Sequence, residues 1–546
     1  MKRLLLFILF FTLFYPHNYY SQTDSTYHLE VNLIDVPVRS DGLLGWSAQD
    51  NSTMAILFDG INVIWSAGFI MSGYSNGNMW SNGTASAARI EDYVSGGVGK
   101  EISKLYILKS SDVPFGDSWQ EWIEAVELGA NFYDGNNDGT YNPVDLNSNG
   151  IWEENEDRPD LLGDETIWCV YNDGVSSAER YYSDVEPQGI EVKQTVWAEK
   201  NTSDEENVFY IRYSIVNRSS TVESFDSIYF GAWSDTDIGT YLDDLGGTDM
   251  ELNSVFVYND SSDSELGMSC IAHYMSLLQR PWEETGNEND KAYNNQGDYL
   301  GTKIISGAKN LSMTSSNQIL KYVEMHTDPD TKEMARNLLK GLTSLHGEII
   351  DPCNWEYGKV NGMNCEDIPL NYIYSGDPFT NQGWINNYPT DTRMLANVGP
   401  FTLIKDEPKD IIVSHTLARK DDYLKSLAET KRIVSVINGN FLTEVKKDQN
   451  DIIPKNYTLK QNYPNPFNPS TTIKYEIPDQ VRNDNVLVEL KIYDVLGREI
   501  VTLVNKEQQA GSYEVNFDAS SLTSGIYFYK LQSGVFVESR KMVLLK

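Results

Sequence analysis

Apolar and polar side chains alternate along much of this chain. Residues 189–197 (GIEVKQTVW), 208–216 (VFYIRYSIV), 227–233 (SIYFGAW) and 410–417 (DIIVSHTL) repeat with period two, and a shorter run stands at 401–404 (FTLI). That period belongs to half-buried strands, and the polar stretch 199–207 between the first two reads as a turn, so antiparallel strands of a β-sandwich are expected. Helical spacing predicts two helices. One is capped by Asp330 and runs through Met334, Leu338 and Leu342; the other runs from about Asp421 through Leu424, Leu427 and Val434 to Gly439. Towards the C-terminus the alternating runs become short: 472–478, 486–493, 497–501, 513–517 and 525–531. Each is bounded by Gly, Asn, Asp or Ser, which predicts a second, smaller β-sandwich. The charged, non-periodic stretch 446–456 is the expected linker to it.

Between the linker and the first of these short runs lies QNYPNPFNPS, residues 461–470. Its prolines fix φ and push the residues before them towards extended geometry, so it is neither helix nor central strand. Tyr463 and Phe467 are the apolar anchors that could pin it to a sheet. Together with IYDVLGR at 492–498, SGIYFY at 524–529 and the basic Lys541 and Lys546, residues 457–546 resemble the type A C-terminal sorting domain of type IX secretion cargo. They also resemble the immunoglobulin-like domain of flagellar hook-cap proteins, which implies the same sandwich. The first resemblance implies passage through the type IX machinery, from the periplasm across the outer membrane. Release or surface attachment would follow, with surface polysaccharide or lipopolysaccharide as a further partner. Residues 60–441 resemble the bodies of other cargo of that system, on WSAG at 65–68, DLLGDETIW at 160–168, SGDP at 375–378 and GPFT at 399–402, and that resemblance implies no particular activity.

The N-terminus points the same way. Lys2 and Arg3 precede an apolar run at 4–14 that is too short for a stable membrane anchor, and Ser21 offers a small residue for cleavage, so residues 1–21 are the expected signal peptide. No other stretch is apolar for long enough to span a bilayer as a helix, so no transmembrane anchor is expected in the mature chain.

Composition sharpens this picture in two respects. The 33 Tyr, 12 Trp and 19 Phe favour sheet over helix. With 79 acidic against 43 basic residues the formal charge is −36, which argues against nucleic acid as a partner, since phosphate binding needs a basic face.

Part of the acidic excess has a metal-loop spacing. From Asp134, oxygen-bearing side chains fall at loop positions 1, 3, 5, 9 and 12 (Asp134, Asn136, Asp138, Asn142, Asp145), with Gly139 at position 6 and the Thr140 carbonyl at 7. A second loop begins on the last residue of the first: Asp145, Asn147, Asn149, Gly150, the Ile151 carbonyl, Glu153 and Glu156. Calcium takes six to eight hard oxygens, and alternate residues of a tight loop supply them. Asn142-Pro143 and Arg158-Pro159 leave no room for flanking helices, so the tandem resembles dockerin-like or thrombospondin-type loops with a structural calcium. A second acidic run, Asp235, Asp237, Asp243, Asp244 and Asp249, fits no loop template; a solvated turn is the default reading and a further cation site the alternative.

Four cysteines remain. Cys353 and Cys365 can close a local disulfide; Cys169 with Cys270 is the other pairing open, although Cys169 sits in an apolar strand where a free buried thiol is common. Catalytic motifs are scarce. Gly73-Tyr74-Ser75-Asn76-Gly77 fits the nucleophile elbow in letters, but no helix start follows it, so a turn is expected. No His-Glu-x-x-His or other zinc spacing involves His28, His273, His326, His346 or His415.

The fold class expected is therefore mainly β: a multidomain β-sandwich body with a few helices and an aspartate-rich calcium-loop insert, then a C-terminal immunoglobulin-like sandwich. Its segments are 1–21, an N-terminal β-rich region 22–130, the loops 131–165, the body 166–445, the linker 446–456 and the sorting module 457–546. The expected protein is secreted or held at the outer cell surface, with a calcium-stabilised, non-catalytic body that could serve adhesion. The alternative is a secreted polymer hydrolase using paired carboxylates. A cleft with aromatic walls and two carboxylates roughly 5–10 Å apart would favour that alternative.

Overall fold

The computed structural model describes residues 25–48, 54–100, 104–200 and 207–446 apart from 260, 262 and 298, and then 458–545 with short gaps, the longest at 478–485. The expected signal peptide, nearly all of the linker, and Tyr463 of the proline-rich stretch lie outside the described residues. The chain divides into two compact units: residues up to Ser435, apart from 293–296 and 301–304, and a second unit from Val436 onwards.

The main strands of the first unit are β1 (Ile61–Ser75), β2 (Glu165–Asn172), β3 (Ile190–Ala198), β4 (Val208–Asn217), β5 (Ser224–Thr236) and β6 (Asp244–Asp249). They continue with β7 (Ser254–Asn259), β8 (Ile271–Gln279), β9 (Ser315–Leu320), β10 (Thr392–Ile404) and β11 (Lys409–Arg419). With the shorter strands named below, and with Ile56–Phe58 and Asn78–Gly83 beside the first and Tyr106–Lys109 beside the second, they form two nine-stranded sheets. The first runs Thr26–Leu29, Ile34–Arg39, Leu44–Gly45, β1, β5, β10, β9; the second runs β6-β7-β8-β11-β4-β3-β2 and then Val94–Ser95. Neighbours are antiparallel, as the alternating patterns require.

One continuous core joins the sheets. Phe69 and Phe230 of the first sheet stack at 5.3 Å, and Tyr213 of the second meets them edge-on or tilted at 5.2 and 5.7 Å. Aromatic rings packed this way add to what their buried area alone contributes. Because β1 lies between Leu44–Gly45 and β5, the N-terminal β-rich region and the body share a sheet and fold as one unit.

The helices depart from expectation in detail. α1 (Asp117–Glu127), not one of the two expected helices, buries Trp119, Trp122 and Ala125, with Trp122 and Trp168 of β2 at 6.2 Å. α2 (Lys332–Leu339) is capped by Thr331, whose hydroxyl accepts the Met334 N–H at 3.2 Å, so Asp330 is not the cap. Asp330 instead accepts the Tyr181 hydroxyl at 2.7 Å. α3 (Tyr423–Lys446) runs past Gly439, and Asp422 accepts the N–H groups of Leu424 and Lys425 at its start.

The second unit contains β12 (Ser470–Ile477), β13 (Val486–Tyr493), β14 (Glu499–Gln508), β15 (Gly511–Asp518), β16 (Gly525–Ser533) and β17 (Phe536–Leu544). One sheet pairs Thr458–Leu459 with β12 and β15, and the other is ordered β14-β13-β16-β17. They enclose a core of their own that includes Ile473, Tyr475, Leu490, Ile492, Tyr529 and Leu531. Phe467 is 2 % exposed and joins it, as expected of an anchor. Its N–H donates to Val543 at 2.9 Å and its carbonyl accepts the Leu545 N–H at 3.0 Å.

Candidate functional site

The aspartate-rich insert is closed at its neck by a short antiparallel pairing of Phe132–Tyr133 with Arg158–Pro159. Its two loops repeat one backbone. Position 4 has positive φ in each (Asn137 59°, Ser148 60°), as does the glycine at position 6 (Gly139 78°, Gly150 75°). The carboxylate at position 1 accepts equivalent N–H groups: Asp134 from Asp138 and Gly139 at 3.1 and 2.8 Å, Asp145 from Asn149 and Gly150 at 3.2 and 2.7 Å. Asn136 and Asn147 repeat the pattern at position 3, accepting the Asp138 and Asn149 N–H groups, and Asp138 and Asn149 at position 5 accept those of Thr140 and Ile151.

The two loops close differently. Glu156, 2 % exposed, accepts the Leu146 and Glu153 N–H groups and closes the second. Glu153 is exposed and faces the Asn147 and Asn149 amides at 2.9 and 3.2 Å. In the first loop Asn142 is exposed, and its N–H donates to Asp157 at 2.8 Å; Asp157 also accepts from Gly135 at 3.1 Å. Asp157 is as buried as Glu156, and sequence spacing alone did not single it out. Gly135 is required where it stands, because a Cβ there would lie 2.4 Å from the Glu156 carbonyl oxygen. The hydrogen bonds to its loop hold the Asp145 carboxyl below the usual range, the Gly150 N–H first among them. Hard-oxygen donors on a repeated loop backbone fit calcium.

A second arrangement lies in the body. Across the first sheet, Gly45, Ser66, Asp235 and Arg393 fall in one register row, and Ile319 continues it. Beside this row opens a cleft of about 610 Å³. Trp46 and Trp65, 5.8 Å apart and both half-buried, stand on its wall with Tyr181 and Tyr241. Asp235, Asp237, Asp328, Asp391, Arg393 and Lys321 also line it.

Arg393 approaches Asp328 Oδ2 at 3.1 Å, Asp235 Oδ2 at 3.3 Å and Asp391 Oδ1 at 3.6 Å, while Lys321 holds Asp391 Oδ2 at 2.6 Å. One oxygen from each of Asp235, Asp237 and Asp391 lies within 4.8 Å of the other two. Burial pushes Asp235, Asp237 and Asp328 above the ordinary carboxylate range, with Arg393 pulling each the other way. Asp235 and Asp237 belong to the second acidic run of the sequence. Asp391, just before β10 and far along the chain, carried no signal beside them.

The remaining acidic-run residues scatter. Asp244 caps the turn at Ile238 by accepting its N–H at 3.1 Å, and Asp249 pairs with Lys431 at 2.7 Å. Gly73 to Gly77 form the hairpin between β1 and Asn78–Gly83, with Asn76 and Gly77 at φ 50° and 81°, and no nucleophile elbow. Cys353 and Cys365 are joined in a disulfide, whereas Cys169 and Cys270 are separate buried thiols.

Residues 461–545 match the family described as the secretion system C-terminal sorting domain. This part of the second unit is a type IX sorting domain. Cargo carrying this domain is exported to the cell surface or beyond, so an interaction with the type IX machinery follows from it. Among the described residues no helix is long and apolar enough to cross a membrane. No curated protein matches the sequence. A solved structure titled a polysaccharide lyase aligns with 65% of this chain and 34% of its own, at 6% identity and a TM-score of 0.16. The aligned part is thus about a third of that protein, and a likeness this weak carries no argument about the body.

Proposed function

We propose that the sorting domain delivers a calcium-braced, non-catalytic binding body, whose cleft takes a hydroxyl-rich ligand such as surface polysaccharide or lipopolysaccharide in an adhesive role. The observation that carries this reading is the cleft itself: the Trp46–Trp65 pair on a wall it shares with carboxylates and three cations. Aromatic faces pack on the apolar faces of sugar rings, while carboxylates, Arg and Lys exchange hydrogen bonds with hydroxyl or anionic groups. Calcium in the tandem loops would order an insert with few apolar residues of its own, and Asp134, Asn136, Asp138, Asn142, Asp145, Asn147, Asn149, Glu153 and Glu156, with the Thr140 and Ile151 carbonyls, would hold it.

The hydrolase alternative is weaker. Aromatic walls and carboxylates are both present, but Arg393 pairs with Asp328 at 3.1 Å. Asp235 and Asp391 are also engaged by Arg393.

Calorimetric titration of the purified body with cell-surface polysaccharide tests the binding reading. Trp46→Ala with Trp65→Ala should weaken binding at least tenfold while leaving the fold intact. Unchanged affinity would remove the cleft as the binding site, and release of reducing ends would establish the hydrolase instead.

A further inference from the structure

We propose that Asp235, Asp237 and Asp391 form a divalent-cation site in the cleft of the body, distinct from the tandem loops and independent of whether those loops bind calcium. The register sets up the site. Asp235 pairs across the β5–β10 ladder with Arg393, and Thr236 pairs with Thr392. One step further Asp237 leaves β5 where Asp391 enters β10, so two carboxylates meet at the mouth of adjacent strands. Like charges in that position oppose folding unless something neutralises them.

The partners present do so only in part. The cleft is lined by Asp235, Asp237, Asp328, Asp330 and Asp391 against Arg89, Lys321 and Arg393, an excess of two negative charges, which is the charge of one divalent ion. The usage of individual oxygens is more telling. Arg393 and Lys321 take the Oδ2 atoms of Asp235, Asp328 and Asp391. The Oδ1 atoms of Asp235, Asp237, Asp328 and Asp391 are buried without a hydrogen-bond partner, Arg393 reaching that of Asp391 only as an ion pair at 3.6 Å. Asp235 and Asp391 are only 3 % and 4 % exposed, so water does little to solvate them. A buried carboxylate oxygen without a donor is costly, and three carboxylates that each bring an oxygen within 4.8 Å of the others are an arrangement a hard cation satisfies. An all-oxygen donor set with no His or Cys selects calcium, magnesium or manganese over zinc or copper. Arg393 and Lys321 then fix the carboxylates from behind.

The test counts ions on the full mature chain with manganese as the probe, its free concentration read by paramagnetic resonance. Two variants separate the sites: Asp237→Asn with Asp391→Asn in the cleft, and Asp134→Ala with Asp145→Ala in the loops. The cleft variant should bind one ion fewer than wild type, and the loop variant should keep that ion. Equal stoichiometry in wild type and cleft variant would overturn the proposal, as would a loop variant that binds none. If the loops take no metal at all, wild type binds a single ion that disappears with the cleft variant, so the calcium-loop reading fails while this one stands. Melting in EDTA covers misfolding: the cleft variant, relieved of repulsion, should melt at or above the wild-type temperature. A variant that melts lower in EDTA and still binds the wild-type number of ions would also sink the site.

Discussion

At the scale of single residues, the buried histidines show how far burial can override chemistry. His273 and His415 sit on neighbouring strands β8 and β11, with Nε2 of the first 3.0 Å from Nδ1 of the second. Thr236 Oγ1 approaches the other nitrogen of His273 at 3.0 Å, and Phe209 stacks flat on His415 at 4.7 Å. Both rings are 1 % exposed. Burial lowers the His273 pKa from 6.5 to about 3, and burial with the neighbouring imidazole holds His415 well below its usual value. Below pH 6.5 the unfolded chain therefore takes up protons that the folded chain refuses, so stability falls as pH drops from 6.5 towards 3. His273 should contribute on the order of 1 kcal/mol per pH unit within that window, and His415 acts in the same direction. In urea melts taken between pH 6.5 and 4, His273→Gln with His415→Gln should flatten the profile; curves parallel to wild type would show that the pair is not its source. Sequence alone placed His415 in a strand but could not pair it, because its partner lies on a strand that reaches it only through the sheet order. Asp391 and Asp157 went unseen for the same reason: each acts on residues that the fold, rather than the local spacing, brings beside it.

At the scale of elements, legibility follows locality. The strands β3, β4, β5 and β11 could be read because period two is a property of adjacent residues, and the structure extends them by only a few positions. Helix boundaries were less legible: a cap is one hydrogen bond, and Asp330 and Thr331 are both capable of making it. The tandem loops are the most local feature of all, and their repeated positive-φ positions and shared hydrogen bonds follow the spacing of the sequence. Their prediction belongs at this scale. Calcium should raise the thermal midpoint by several degrees, and a midpoint indifferent to EDTA would count against the structural-ion reading. Asp145 holds the second loop by accepting the Asn149 and Gly150 N–H groups, and the spacing also makes it the last ligand of the first. Asp145→Ala should therefore cost both ions. If calorimetry finds only one lost, the first loop closes on Asp157 instead.

At the scale of the whole molecule, the two units divide the labour. Among the described residues, the core of the sorting unit comes from residues 459–544 and the body core shares none of them. Each hydrophobic core is thus complete without the other, which is the condition for removing one without unfolding the other. The body keeps its fold for an extracellular task, with a disulfide between Cys353 and Cys365 that suits an oxidising compartment. The sorting unit carries what the export machinery reads. Deleting residues 457–546 should therefore leave the calcium response and melting of the body unchanged while the truncated chain accumulates in the periplasm of its host. Immunoblots of periplasmic, surface and medium fractions measure this directly. Normal delivery of the truncated chain would mean that the body carries an export signal of its own. Loss of its melting transition would mean that the two cores are coupled despite sharing no residue.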